Sequence, residues 1–113
     1  MISKLQNKEP LKEIKKIILE IASKYGIKID KIILFGSRAR GDYKPNSDWD
    51  IIIVIQKRID KKLEEEFWLK VNRSLVKINI IPEVLIVEKD KFNSLSKEKG
   101  YVFYYAKKEG VII

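Results

Sequence analysis

The chain has 113 residues, of which 45% are hydrophobic, contains neither cysteine nor histidine, and carries a formal net charge of +8. That size suits one domain with its own core, and the composition excludes disulfides, thiolate nucleophiles, Cys/His zinc sites and imidazole acid–base chemistry. Any metal must be held by oxygen, which favours magnesium or manganese, while the positive charge fits either a polyanionic partner or a Lys/Glu/Ile-rich, heat-adapted style.

Leu11, Ile14, Ile17, Ile18 and Ile21 recur at helical spacing among lysines and glutamates. Pro10 is expected in the first turn of this helix, where its missing N–H is not needed, and Gly26 just beyond its end. No run approaches the ~20 apolar residues of a membrane span, and no apolar signal core follows Met1-Ile2-Ser3-Lys4. A cytoplasmic protein without a membrane partner is the expectation.

The short Ile-rich block 31–35 predicts a strand ended by Gly36. Residues 36–47 read as a loop with a helical turn around 38–41. A second strand is predicted over 48–55, and its nearly unbroken apolar run after Asp50 suits a central position covered on both faces. Leu63, Phe67, Val71 and Leu75 then recur every four residues, predicting an amphipathic helix over about 60–76. A third strand is expected over 83–87 and a short helix near 89–94. Tyr101, Phe103, Tyr104 and Tyr105 follow, either as the packed face of a C-terminal helix or as a partner interface. Trp49 and Trp68 read as core or face-covering residues. The order helix–strand–strand–helix–strand–helix predicts a small α/β or α+β sheet with helices mainly on one face, without repeats or linkers.

Chemistry concentrates between the first two strands, in Gly36-Ser37-Arg38-Ala39-Arg40-Gly41 and Ser47-Asp48-Trp49-Asp50. On a strand, Asp48 and Asp50 project from one face, and carboxylates so close repel unless a cation lies between them. No Lys or Arg lies within the pair, so magnesium, which takes one or two carboxylates plus phosphate oxygens, is the natural neutraliser. Gly36 permits close approach of backbone to a phosphate, Ser37 offers hydroxyl and N–H donors, and Arg38, Arg40 and Lys44 are available to neutralise a triphosphate. Taken singly, Asp-x-Asp also describes a solvated edge strand, and Gly-Ser an ordinary turn.

In combination, strand, Gly-Ser, ten residues, Asp-x-Asp and strand resemble the signature of the DNA polymerase beta-like nucleotidyltransferase superfamily. Residues 35–41 and 47–51 are especially similar to the minimal nucleotidyltransferases, as is the ending Lys107-Lys108-Glu109-Gly110-Val111-Ile112. The resemblance implies an α+β fold (an α/β sandwich with a small mixed sheet) and one nucleotidyltransferase domain over 1–113. It implies that Gly36, Ser37, Arg38 and Arg40 bind the nucleotide, and that Asp48 and Asp50 hold metal, two Mg2+ ions being expected. A third catalytic and metal-binding acid belongs on a later strand, where the family usually carries Asp. The acid opening the third strand here is Glu83. The implied reaction transfers a nucleoside monophosphate, AMP from ATP, to a hydroxyl, with pyrophosphate leaving.

Larger members of that superfamily add an acceptor-selecting domain, for which 113 residues are expected to leave no room. A second copy or another protein would then be expected to complete the acceptor site. The resemblance points to a HEPN-domain ribonuclease toxin, modified on a tyrosine and thereby neutralised, with this chain as its antitoxin. Two other readings are a catalytically inert module that masks such a partner by contact, and a basic nucleic-acid-binding domain. The second lacks an aromatic–basic stacking motif, and nucleic acid is not expected as the direct substrate.

Overall fold

In the computed structural model the backbone of residues 2–113 and the side chains of residues 10–113 are described. Nine elements follow in chain order: α1 (Ile2–Lys24), β1 (Ile29–Phe35), α2 (Ser37–Arg40), β2 (Trp49–Ile55), α3 (Lys61–Val76), β3 (Pro82–Glu88), α4 (Lys89–Leu95), α5 (Val102–Glu109) and β4 (Val111–Ile112). The four strands form one mixed sheet in the order β3-β2-β1-β4. β2 runs antiparallel to β1 and parallel to β3, the parallel step being bridged by α3. The expected α+β class with a small mixed sheet is what the chain adopts.

Strand alternation divides the core between the two faces. Trp49, Ile51, Ile53 and Ile55 of β2 pack with Ile14, Ile18 and Ile21 of α1 and with Phe67, Val71 and Leu75 of α3. Ile52 and Val54 turn the other way, onto Phe92 of α4 and Ala106 of α5. The two long helices therefore cover one face and two short ones the other. β2 is central, and five consecutive residues from Ile51 to Ile55 are buried, as an apolar run covered on both sides requires.

Helix ends obey local chemistry. Asp60 caps α3 by accepting the Leu63 N–H, and Glu88 caps α4 by accepting the Lys91 N–H. After α1, Gly26 N–H donates to Ser23 O and Ile27 N–H to Ala22 O, the paired bonds of a Schellman stop. Trp68 on α3 donates its indole N–H to Val84 O of β3 at 2.9 Å.

Three details depart from the sequence expectation. Pro10 lies inside α1 rather than in its first turn. Proline there costs the helix the bond its own N–H would make and crowds the carbonyl one turn back. Asp48 falls just before β2 rather than on it. The tail forms α5 and then β4, which pairs antiparallel with β1 through Leu34–Val111 and Ile33–Ile112. Gly110 permits that corner: a β-carbon there would collide with Ala106 O and Ile33 Cγ2.

Candidate active site

β1 delivers the chain to Gly36 at one end of the sheet, where φ is +73°, a left-handed value that disfavours any side chain. Gly36 O accepts the N–H groups of Ala39 and Arg40, closing the single helical turn of α2. The turn sets Ser37 just beyond the end of β1. From Gly41 the loop swings out and returns through Lys44-Pro45-Asn46-Ser47, a turn closed by Ser47 N–H to Lys44 O and by Lys44 N–H to the Ser47 hydroxyl. Proline at its second position suits that turn.

Past the loop, Trp49 N–H donates to Ile81 O, which starts the pairing of β2 with β3. The register sets Asp50 opposite Phe35 of β1 on one side and opposite Glu83 of β3 on the other. Alternation places Asp50 and Glu83 on the thinly covered face, the face of Ile52 and Leu85. Asp50 lies directly against Gly36: a β-carbon on Gly36 would stand on its carboxylate. Asp50 is half-buried, while Asp48 and Glu83 are exposed.

The Asp50 carboxyl is pushed above the ordinary aspartate value by burial, then by the negative charges of Asp48 and of Glu83, with Arg40 acting in the opposite sense. Three acids, two at the entry to β2 and one from β3, thus share one field near the Gly-Ser turn. Among the described residues, no three acidic side chains are drawn into a ready-made metal cage. The donor set is all oxygen, and a hard divalent ion would take Asp48 and Asp50 first and complete its shell from phosphate and water.

The basic residues of the turn part company. Arg40 acts on Asp50 through its charge and pairs with Asp42 at 3.3 Å on the surface. Arg38 turns inward and is only 8% exposed. Its guanidinium lies 4.2 Å from the Tyr43 ring centre and 4.4 Å from that of Trp49, and donates to Pro45 O and Ser47 O at 3.2 Å each. It binds the two ends of the loop together rather than facing solvent. Sequence reading did not give Tyr43 and Trp49 as its partners, although an arginine followed closely by two aromatics was the available signal.

Known proteins similar to this chain share its family and fold. Residues 13–113 match the family described as Polymerase beta, Nucleotidyltransferase. Two proteins of Methanocaldococcus jannaschii, provisionally named as protein adenylyltransferases, are similar in sequence. One is 37% identical over 82 residues, covering 73% of this chain and 77% of the relative. The other is 36% identical over 81 residues, covering 72% and 79%. Among solved structures, a provisionally named nucleotidyltransferase from Sulfolobus solfataricus superposes with a TM-score of 0.61 at 21% identity, over 97% of this chain and 85% of that one. A toxin–antitoxin structure with AMP-PNP superposes with a TM-score of 0.55 at 19% identity, over 86% and 69%. At such identities these last two likenesses are of fold.

Proposed function

Because the chain belongs to the polymerase beta nucleotidyltransferase family, we propose that it is a protein adenylyltransferase that moves AMP from ATP to a tyrosine hydroxyl of a HEPN-domain toxin and so acts as its antitoxin. The observation that carries this reading is the position of Asp50, against Gly36 and in register with Glu83, two residues from Asp48. Relatives named as protein adenylyltransferases support a protein acceptor, and the fold shared with a toxin–antitoxin structure with AMP-PNP supports the toxin partner and the adenine nucleotide.

In this mechanism the Gly36 backbone and the Ser37 hydroxyl and N–H donate to triphosphate oxygens, and Arg40 neutralises part of their charge. Arg38 is left to the loop that its contacts span. Asp48 and Asp50 would hold magnesium, with Glu83 beside them. Such an ion, when bound, would supply charge neutralisation to the phosphates. With no histidine in the chain, Glu83 accepts the proton of the acceptor hydroxyl. The oxygen–Pα bond forms as the Pα–Oβ bond breaks, and pyrophosphate leaves. The chain's own contribution is positioning and charge, without a covalent enzyme intermediate.

Label transfer in lysate of the native host, comparing α-labelled with γ-labelled ATP in the presence of magnesium, tests this reading. The α label is expected on one protein band and absent with Asp48→Asn. Label on RNA would discard the toxin partner. A captured partner that stays unlabelled would leave a module that masks by contact.

A further inference from the structure

A cavity of about 550 Å3 lies not beside the acids but at the opposite end of the sheet. Ile55 and Glu88, the last residues of β2 and β3 and partners in register, form part of its wall. Asp50 lies five residues back along β2, so the two ends are about 17 Å apart along the strand.

The topology explains why a crevice opens there. After β2 the chain turns into α3, which packs with Phe67 and Val71 on one face of the sheet. After β3 it turns into α4, which packs with Phe92 on the other face. Two adjacent parallel strands whose chains depart to opposite faces leave a gap beyond their carboxyl ends, and such switch points are where open α/β sheets take ligands. The volume lies within the range of small-molecule sites.

The lining is chemically mixed. Arg58, Lys61 and Lys91 contribute three cations to it. Their side chains make no ion pair among the described residues. Ile59, Ile86 and Phe103 supply an apolar wall that includes one aromatic ring. Glu64 and Glu88 add carboxylates that accept hydrogen bonds, one Glu88 oxygen already taking the Lys91 N–H.

The geometry points to a second binding site here for a nucleoside phosphate of mononucleotide size, separate from the transfer site. The phosphate faces Arg58, Lys61 and Lys91, and the base lies on the apolar wall. Glu64 and the remaining Glu88 oxygen accept from ribose hydroxyls or an exocyclic amine. A bare anion would leave the apolar wall and the carboxylates unused, and an uncharged nucleoside would leave the cations unused.

Amide NMR of the full chain titrated with AMP in chelator, without divalent metal, tests the site. Saturable shifts are expected at Ile59, Lys61, Val87 and Lys91, with affinity falling about fivefold in Arg58→Ala and in Lys91→Ala, since each removes one exposed charge-assisted contact. No saturable shift at these amides in millimolar AMP overturns the proposal, as do shifts that both variants leave unchanged. Inorganic phosphate binding as tightly as AMP overturns the nucleoside assignment. Shifts at Gly36 and Ser37 report the transfer site separately, so neither site's failure is mistaken for the other's.

Discussion

The Asp50 carboxylate occupies the space that a β-carbon would fill on Gly36. Phe35 and Asp50 are register partners on adjacent antiparallel strands, so the residue after Phe35 turns directly over the acid. The glycine therefore serves two ends at once: it takes a positive φ and it leaves the acid its position.

Gly36→Ala must either displace Asp50 or open the turn. We expect transfer of α label to fall about a hundredfold, since a displacement near 1 Å costs that much. The left-handed backbone adds a stability loss of about 1–2 kcal/mol, read by denaturant unfolding.

Asp50→Asn should abolish transfer while making the metal-free protein harder to melt. Its carboxyl is raised above 3.8 in the folded chain. Between that value and the raised one, the folded state binds more protons than the unfolded state. The Asp50 contribution to stability is thus fully present below 3.8 and is lost as pH rises through the raised value. At neutral pH the wild-type chain carries the full cost of burial and repulsion. Thermal melts in chelator should show the variant melting a few degrees higher. Magnesium should raise the melting temperature of the wild-type chain and not that of the variant.

Glu83→Gln separates proton acceptance from nucleotide binding. The expected result is a loss of kcat of about 10²–10³, with the KM for ATP nearly unchanged. A raised KM at constant kcat would assign Glu83 to binding instead.

Arg38 and Arg40, two residues apart, should respond differently. Arg40→Ala is expected to weaken ATP binding by about tenfold, one charge-assisted contact's worth. Arg38→Ala should loosen the span between Gly41 and Asp48, seen as faster protease cutting there. Its kcat should fall together with its magnesium affinity, and lysine should not restore either, because it lacks the planar guanidinium that stacks on Tyr43 and Trp49.

Gly110→Ala tests the corner between α5 and β4. The added carbon meets Ala106 O and Ile33 Cγ2, so a cost of about 1–3 kcal/mol is expected from overpacking. Denaturant unfolding reads it directly.

What the sequence made legible follows from range. β1, β2 and α3 could be read because Ile, Val, Leu and Phe recur at the strand or helix period over whole elements. The pairing of Gly36-Ser37 with Asp48 and Asp50 was legible as a spacing, and Glu83 as the acid that opens the next strand. β4 was not, because a two-residue strand has no period and exists through its bonds to β1. Nor was the position of Asp48 before β2, because strand ends depend on partners, here Ile81. Arg38 shows the same limit at a side chain: sequence gives its charge, while only the fold shows the loop carbonyls and rings that engage it.

The indole bond from Trp68 to Val84 has a consequence for assembly. β3 is an outer strand, and residues on its far side point their backbone groups away from β2. Such a row invites a foreign strand to add itself and grow a fibre. Here Pro82 brings no N–H to that row, and the Val84 carbonyl is already occupied by the indole. The opposite border is β4, too short at two residues to template much. Margins blunted in these ways favour a partner that meets side chains and helices, so complexes of this chain are expected to dissolve by ordinary mass action rather than propagate along the backbone.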